Sequence, residues 1–175
     1  MSDAELTNEV LEEYEFLRLY SIDLERSKQL LQLTATVDRN ELRYPLLELA
    51  VITYARPFSV NRGRYIRRHS LTTNIVPQRS RQLHDALLAL RDQAFAHTDH
   101  AFRDPKVARF PLGEGRHFYP MSFTNPAWDN LLRDLHVIEA LVTQIESAVN
   151  AQVESMNRRF DGIYLRGARG GGGAS

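Results

Sequence analysis

From Trp128 to Val149 the apolar residues Trp128, Leu131, Leu135, Ile138, Val142, Ile145 and Val149 recur three and four positions apart. That spacing is one stripe of an α-helix, and no strand can use it. Asn125 suits the N-cap, Pro126 the first helical position and Asp129 the positive end of the dipole. Gln152 and Met156 continue the register and Leu132 and Leu141 widen it, so a helix of about 30 residues is predicted, ending near Arg159. A stripe that long must be covered, and the rest of the chain supplies helices to cover it. Residues 4–33 contain no Pro or Gly and carry Val10, Tyr14, Leu17, Leu24 and Leu31 on one seam, interrupted by Ser21 and Lys28. Pro45 is placed to open a second helix, closed near Tyr54 or Ala55 because Pro57 forces Arg56 into extended backbone. That helix is apolar on most sides, so it is expected to be the most buried, with Glu48 as its one charge and an arginine as the partner of Glu48. A third helix is predicted over Ser80–Asp99, where Leu83, Leu87, Leu90, Ala94 and His97 form the stripe. The fold class expected is all-α, an up-and-down bundle of four to five helices.

The connections are unequal. Residues 57–77 make a long basic loop, with a short helical turn expected around Arg64–His69. A loop of that length in a compact domain is either functional or disordered. Residues 100–126 hold four of the seven prolines and several aromatics, and read as an irregular excursion or a short hairpin around Pro111–Gly115. The Gly-rich stretch 166–175 cannot bury apolar surface and is expected to be a disordered tail. A single domain over 1–165 follows, as 175 residues would be marginal for two.

Composition removes several classes of function. With no cysteine there is no disulfide, thiolate zinc site or cysteine nucleophile. The acidic N-terminus has no apolar core of a signal peptide, and the longest apolar run, 46–55, is about half of what a spanning helix needs. A cytoplasmic protein with no membrane partner is expected. No nucleophile elbow, P-loop, dinucleotide fingerprint or HExxH motif occurs.

The net charge of zero hides a polar distribution. Residues 1–48 carry eleven acids and five bases, whereas 56–91 carry eight arginines against Asp85 alone. The basic side chains there are all Arg, the residue suited to paired contacts with phosphate. Arg56, Arg62, Arg64, Arg67, Arg68, Arg79 and Arg81 are therefore candidate nucleic-acid contacts. The alternative is that the acidic and basic segments neutralise each other within the fold.

Arg followed by His after four to six residues occurs four times, so the spacing carries little information by itself. Arg91–His97 differs in context. It lies in a strongly periodic helix, Asp92 follows the Arg, and small Ala94 and Ala96 flank it. On a straight helix Arg91 and His97 stand about 9 Å apart along the axis, too far to bond each other and suitable for gripping one phosphodiester at two points. The segment LRDQAFAHTD resembles the signature of the HEPN superfamily, an Arg, a polar residue and a following His on a helix of a small bundle. The resemblance implies metal-independent RNA cleavage, with Arg91, Asp92 and His97 as the catalytic set and no metal or cofactor. It implies a homodimer that pools two such sets, and RNA as substrate. An antitoxin or a nucleotidyltransferase-like protein is the further partner it suggests. Members of that superfamily also include binders without activity. The chemistry is coherent without the name: a His titrating near neutrality can serve as acid or base, and Arg supplies permanent charge to a phosphorane. Two other readings stand beside it. His97 could be a core histidine satisfied by Asp92, Asp99 or a carbonyl, and His97 with His100, Asp99 and Asp104 could begin a metal site, with His84, His117 or His136 added.

Overall fold

The computed structural model describes residues 7–92, 105–122 and 128–170, with backbone alone for 128 and 162–170. Helix α1 is Asn8–Thr36, capped by Thr7, whose hydroxyl accepts the Val10 N–H at 3.3 Å. Its most buried row is Leu17, Tyr20, Leu24, Ser27, Leu31 and Thr34, alternating three and four apart. The row keeps Leu17, Leu24 and Leu31 of the predicted seam, fills the places of Ser21 and Lys28 with Tyr20 and Ser27, and extends to Thr34. Ser27 bonds the Ala50 carbonyl at 2.9 Å and Thr34 the Leu30 carbonyl at 2.7 Å, so neither is left unsatisfied.

Helix α2, Asn40–Ala55, starts five residues before Pro45. The proline is inside the helix rather than at its opening, which leaves the exposed Glu41 without its helical donor. Burial also differs from expectation. Leu47, Ala50, Val51 and Tyr54 are enclosed, but Leu42 and Leu49 face solvent. Among the described residues Glu48 has no ion-pair partner.

Helix α3 is Arg81–Leu90, followed by a π-helical turn at Arg91 and Asp92. Helix α4, Trp128–Arg133, and helix α5, Leu135–Gly170, occupy the stretch predicted as one helix. The helix is interrupted only at Asp134, whose N–H reaches the Asn130 carbonyl and whose carbonyl accepts from Val137 and Ile138. The predicted stripe holds: Leu135, Ile138, Leu141, Val142, Ile145 and Val149 are all buried. Val153 continues it, while Gln152 is exposed. The backbone remains helical through Gly170, and 171–175 lie outside the described residues.

Packing is centred on α1, which lies against both α2 and α5. Tyr14 meets Phe160, Ser21 bonds Asn150 at 2.6 Å, Lys28 pairs with Glu146, and Gln32 bonds Glu139 at 2.7 Å. Partner numbers fall along α5 as they rise along α1, so the two helices are antiparallel. The two polar interruptions of the α1 seam, Ser21 and Lys28, are the residues that bridge to α5.

Residues 106–122 form an antiparallel hairpin, the second of the two forms expected there. Strands β1 (Lys106–Val107) and β4 (Met121–Ser122) pair, as do β2 (Phe110–Gly113) and β3 (Arg116–Phe118). An Ala108 N–H to Pro120 carbonyl bond of 3.0 Å joins the two halves in one register. At the tip Glu114 and Gly115 have φ of 51° and 74°. Positive φ at both central residues matches the right-handed twist of a hairpin, and only glycine takes it without cost.

Candidate nucleic-acid interface

The basic loop between α2 and α3 is fixed in place by α1. Its base closes where Leu71 N–H meets the Pro57 carbonyl at 2.7 Å. Farther out Asn61 and His69 exchange two backbone bonds of 2.9 Å, and Gly63 N–H meets the Ile66 carbonyl at 2.9 Å. These rungs make a narrow ribbon with its tip at 63–66. Helical turns occur at Arg56–Phe58, Thr73–Ile75 and Gln78–Ser80, and none at 64–69. The two backbone arms of the ribbon satisfy each other there, which a helical turn would prevent.

Glu12 of α1 holds the tip. Its carboxylate accepts three successive backbone N–H groups, from Arg64, from Tyr65 at 2.7 Å and from Ile66 at 2.5 Å. Such a run of amides is an anion-binding concavity, filled here by a side chain of the same molecule. Gly63 is required beside it, because a Cβ there would overlap the Glu12 carboxyl group. Burial works to raise the Glu12 pKa, but the three N–H bonds and the Arg64 charge outweigh it and hold it below the usual carboxylate range.

Tyr20 holds the waist. Its hydroxyl lies 2.9 Å from His69 Nδ1 and receives the Asn61 amide at 3.2 Å. A phenol proton donated to Nδ1 would place the His69 proton on Nε2, a neutral tautomer. Burial lowers the His69 pKa, in keeping with that assignment, although Glu13 opposes it. The His69 ring is stacked on Phe16 at 4.7 Å and 3°. Asn61 also bonds the carbonyls of Arg56 and Ser59, stitching the ribbon to the end of α2.

On this scaffold Arg62, Arg64, Arg67, Arg68 and Arg79 are exposed. Arg56 pairs with Asp23 at 3.3 Å, and Arg81 on α3 is half-buried. The seven predicted contacts therefore divide into five solvent-facing cations, one paired and one withdrawn. A cleft of about 470 Å³ lies between the ribbon tip and the start of α1, lined by Asn8, Leu11 and Glu15 on one side and Arg62, Arg64 and Tyr65 on the other. Among the described residues the acids of 1–48 meet this cluster through Asp23, which pairs with Arg56, and through Glu12, which accepts backbone N–H groups beside Arg64.

Arg91 continues the α3 axis, its N–H reaching the Leu87 and Leu88 carbonyls. Its side chain is 26% exposed, and Nε lies 2.9 Å from Asp92 Oδ1 as an ion pair without hydrogen-bond alignment. His97, Asp99, His100 and Asp104 lie outside the described residues, so the structure relates Arg91 to Asp92 alone. Leu87 is buried and Leu83 and Leu90 are half-buried, as the stripe requires.

The residues that organise this region were not among the candidates. Glu12 reads in sequence as one more acid of an acidic helix, and Gly63 between two arginines was its only local signal. His84, named as a possible further metal ligand, is instead fully buried, with the Tyr54 hydroxyl 2.7 Å from Nδ1 and the Phe58 ring edge-on at 4.5 Å. Burial lowers the His84 pKa and raises that of Tyr54, so this pair is neutral.

The Glu12 latch predicts a pH signature. Its depressed pKa contributes stability that is complete above the ordinary carboxylate range and lost as pH falls through the lowered folded value. The Tm of the wild type should exceed that of Glu12→Gln near neutral pH, and the difference should shrink as pH falls below the ordinary carboxylate range. Thermal melts across that range would show parallel curves if the charge on Glu12 did nothing.

No family model, curated protein or solved structure matches this chain. Among the described residues no helix is long and apolar enough to cross a membrane, and no three His, Asp or Glu side chains group as a metal site.

Proposed function

We propose that this chain binds RNA through the arginine ribbon and cleaves it without a metal, using Arg91, Asp92 and His97 from both subunits of a cytoplasmic homodimer. The observation that carries the binding half is the ribbon itself. Four exposed arginines, Arg62, Arg64, Arg67 and Arg68, ride on a loop whose backbone is tied down at tip, waist and base, and exposed Arg79 follows beyond the base. A cation on a fixed loop loses little freedom when it meets a phosphate, so the contact retains more of its energy. The cleavage half rests on the resemblance of 90–99 to the HEPN signature, and the mostly helical fold is compatible with it. The π-helical turn at Arg91 supports it, since such turns are frequent at functional sites. In this reading Asp92 orients the guanidinium, Arg91 stabilises the phosphorane, and one His97 of the pair takes the 2′-hydroxyl proton while the other protonates the leaving 5′-oxygen.

A second reading has its own support. Arg91 is mostly covered and already faces the Asp92 carboxylate, as a purely structural ion pair would. On that reading the protein is a non-catalytic binding module, partnered by an antitoxin or a nucleotidyltransferase-like protein.

Incubation of mixed-sequence RNA in EDTA with wild type, Arg91→Ala and His97→Ala separates the two. The nuclease reading expects cyclic-phosphate ends from the wild type and a loss of about 100-fold or more in each variant. Binding without cleavage by any of the three would leave the module.

A further inference from the structure

The hairpin 106–122 carries a surface that the arginine ribbon does not use. Val107, Phe110, Leu112, Phe118, Tyr119 and Met121 are each between 54% and 64% exposed. Exposed apolar side chains scattered singly need no explanation, but the hairpin register gathers Phe110, Leu112 and Phe118 on one face and Val107, Tyr119 and Met121 on the other. Phe110 and Phe118 are direct partners across the ladder, and so are Val107 and Met121. Directly opposed side chains share a face, so the two phenyl rings stand side by side. No ring contact joins them among the described residues, and each side chain is about half exposed. The charge on the hairpin has one dominant sign: Lys106, Arg109 and Arg116 against Glu114. Arg109 donates to His117 Nε2 at 2.7 Å, which holds the guanidinium against an imidazole lying 6.2 Å from the Tyr119 ring.

Exposed aromatic rings beside a cation on a β-ribbon have a specific complement. Bases offer flat apolar surfaces to stack, and their backbone offers one phosphate per nucleotide to neutralise. A duplex offers only the phosphates, because its bases are already stacked. A second copy of this chain would bring the same positive charge to the contact. We infer that the face of the 106–122 hairpin that carries Phe110 and Phe118 is a stacking platform for single-stranded RNA, with the two rings receiving bases and Arg116, two residues from Phe118 on the same face, receiving a flanking phosphate. This deepens the RNA reading and rests on it: the ribbon of 62–79 grips backbone in any form, and the hairpin selects strands whose bases are free.

The test compares labelled single-stranded oligoadenylate of about a dozen nucleotides with a mixed-sequence duplex RNA, by fluorescence anisotropy. The proteins are wild type and the double variant Phe110→Ala/Phe118→Ala. Because both side chains are exposed, the variant should keep the wild-type Tm, which a parallel melt verifies. The expected result is a loss of about 10- to 100-fold for oligoadenylate with less than about threefold change for the duplex. Equal losses on both probes, or none on either, would overturn the platform while leaving RNA binding intact. Loss of a wild-type dimer in the variant, seen by sedimentation with unaltered RNA affinity, would overturn it in favour of a self-association arm. If the wild type bound neither probe, the RNA reading itself would fail, a result distinct from the others.

Discussion

Leu24→Ala is expected to lower the free energy of unfolding by about 3–5 kcal/mol. Leu24 is completely buried at the middle of α1. Three residues before it Ser21 bonds α5, and three residues after it Ser27 bonds α2. Its side chain therefore lies where the three long helices meet, and neither neighbour can close the gap without breaking a hydrogen bond on the flank. Truncation there loses the transfer energy of the missing carbons and leaves a cavity whose walls cannot relax, which places it at the upper end of Leu→Ala costs. Since domains of this size have about 5–15 kcal/mol in total, the variant should be close to unfolding at moderate temperature. Urea denaturation measures it. The midpoint should fall with the slope unchanged, and a change below about 1 kcal/mol would mean that α1 is not the central element.

The second large effect concerns the ribbon. Replacing Arg62, Arg64, Arg67 and Arg68 together with alanine should weaken binding to single-stranded RNA by about 200-fold at ~0.15 M salt. Each arginine that meets a phosphate releases about 0.7 of a counterion from a single strand, which at that salt amounts to about fourfold per contact. Four contacts multiply. The four side chains are exposed, so the folded state should tolerate the change. Loss of affinity should come with a shallower salt dependence, which distinguishes lost phosphate contacts from a general loss of structure. Unchanged affinity in the quadruple variant would remove the ribbon from the interface.

How much of this was legible in the sequence varied with the range of the interaction. The α5 stripe could be read because one helix writes its own periodicity, and the hairpin because Gly-Glu-Gly lies between alternating residues. The α1 seam was legible at Leu17, Leu24 and Leu31 but not at Ser27 and Thr34, which are polar by type and buried by size, so hydropathy alone cannot place them. The start of α2 was missed because Pro45 is more often an opening residue than an interior one. Arg64–His69 was expected to turn helically. What decided its conformation is a carboxylate more than fifty residues earlier in the chain, and local pattern holds no record of such a contact. The arginine cluster was visible as charge, but whether it was a fixed surface or solvated loop depended on Glu12 and Tyr20. Of the Arg91, Asp92 and His97 set, two members are described and they touch each other, while the third lies outside the described residues.

The central claim is that the ribbon presents cations to an RNA backbone, and the salt dependence of binding by the wild-type protein tests it most directly. Anisotropy titrations of a labelled single-stranded RNA at about 50 and about 200 mM salt should give affinities differing by about 50- to 100-fold, as four or five phosphate contacts require. Undetectable binding at the lower salt, or an affinity indifferent to salt, would contradict the account.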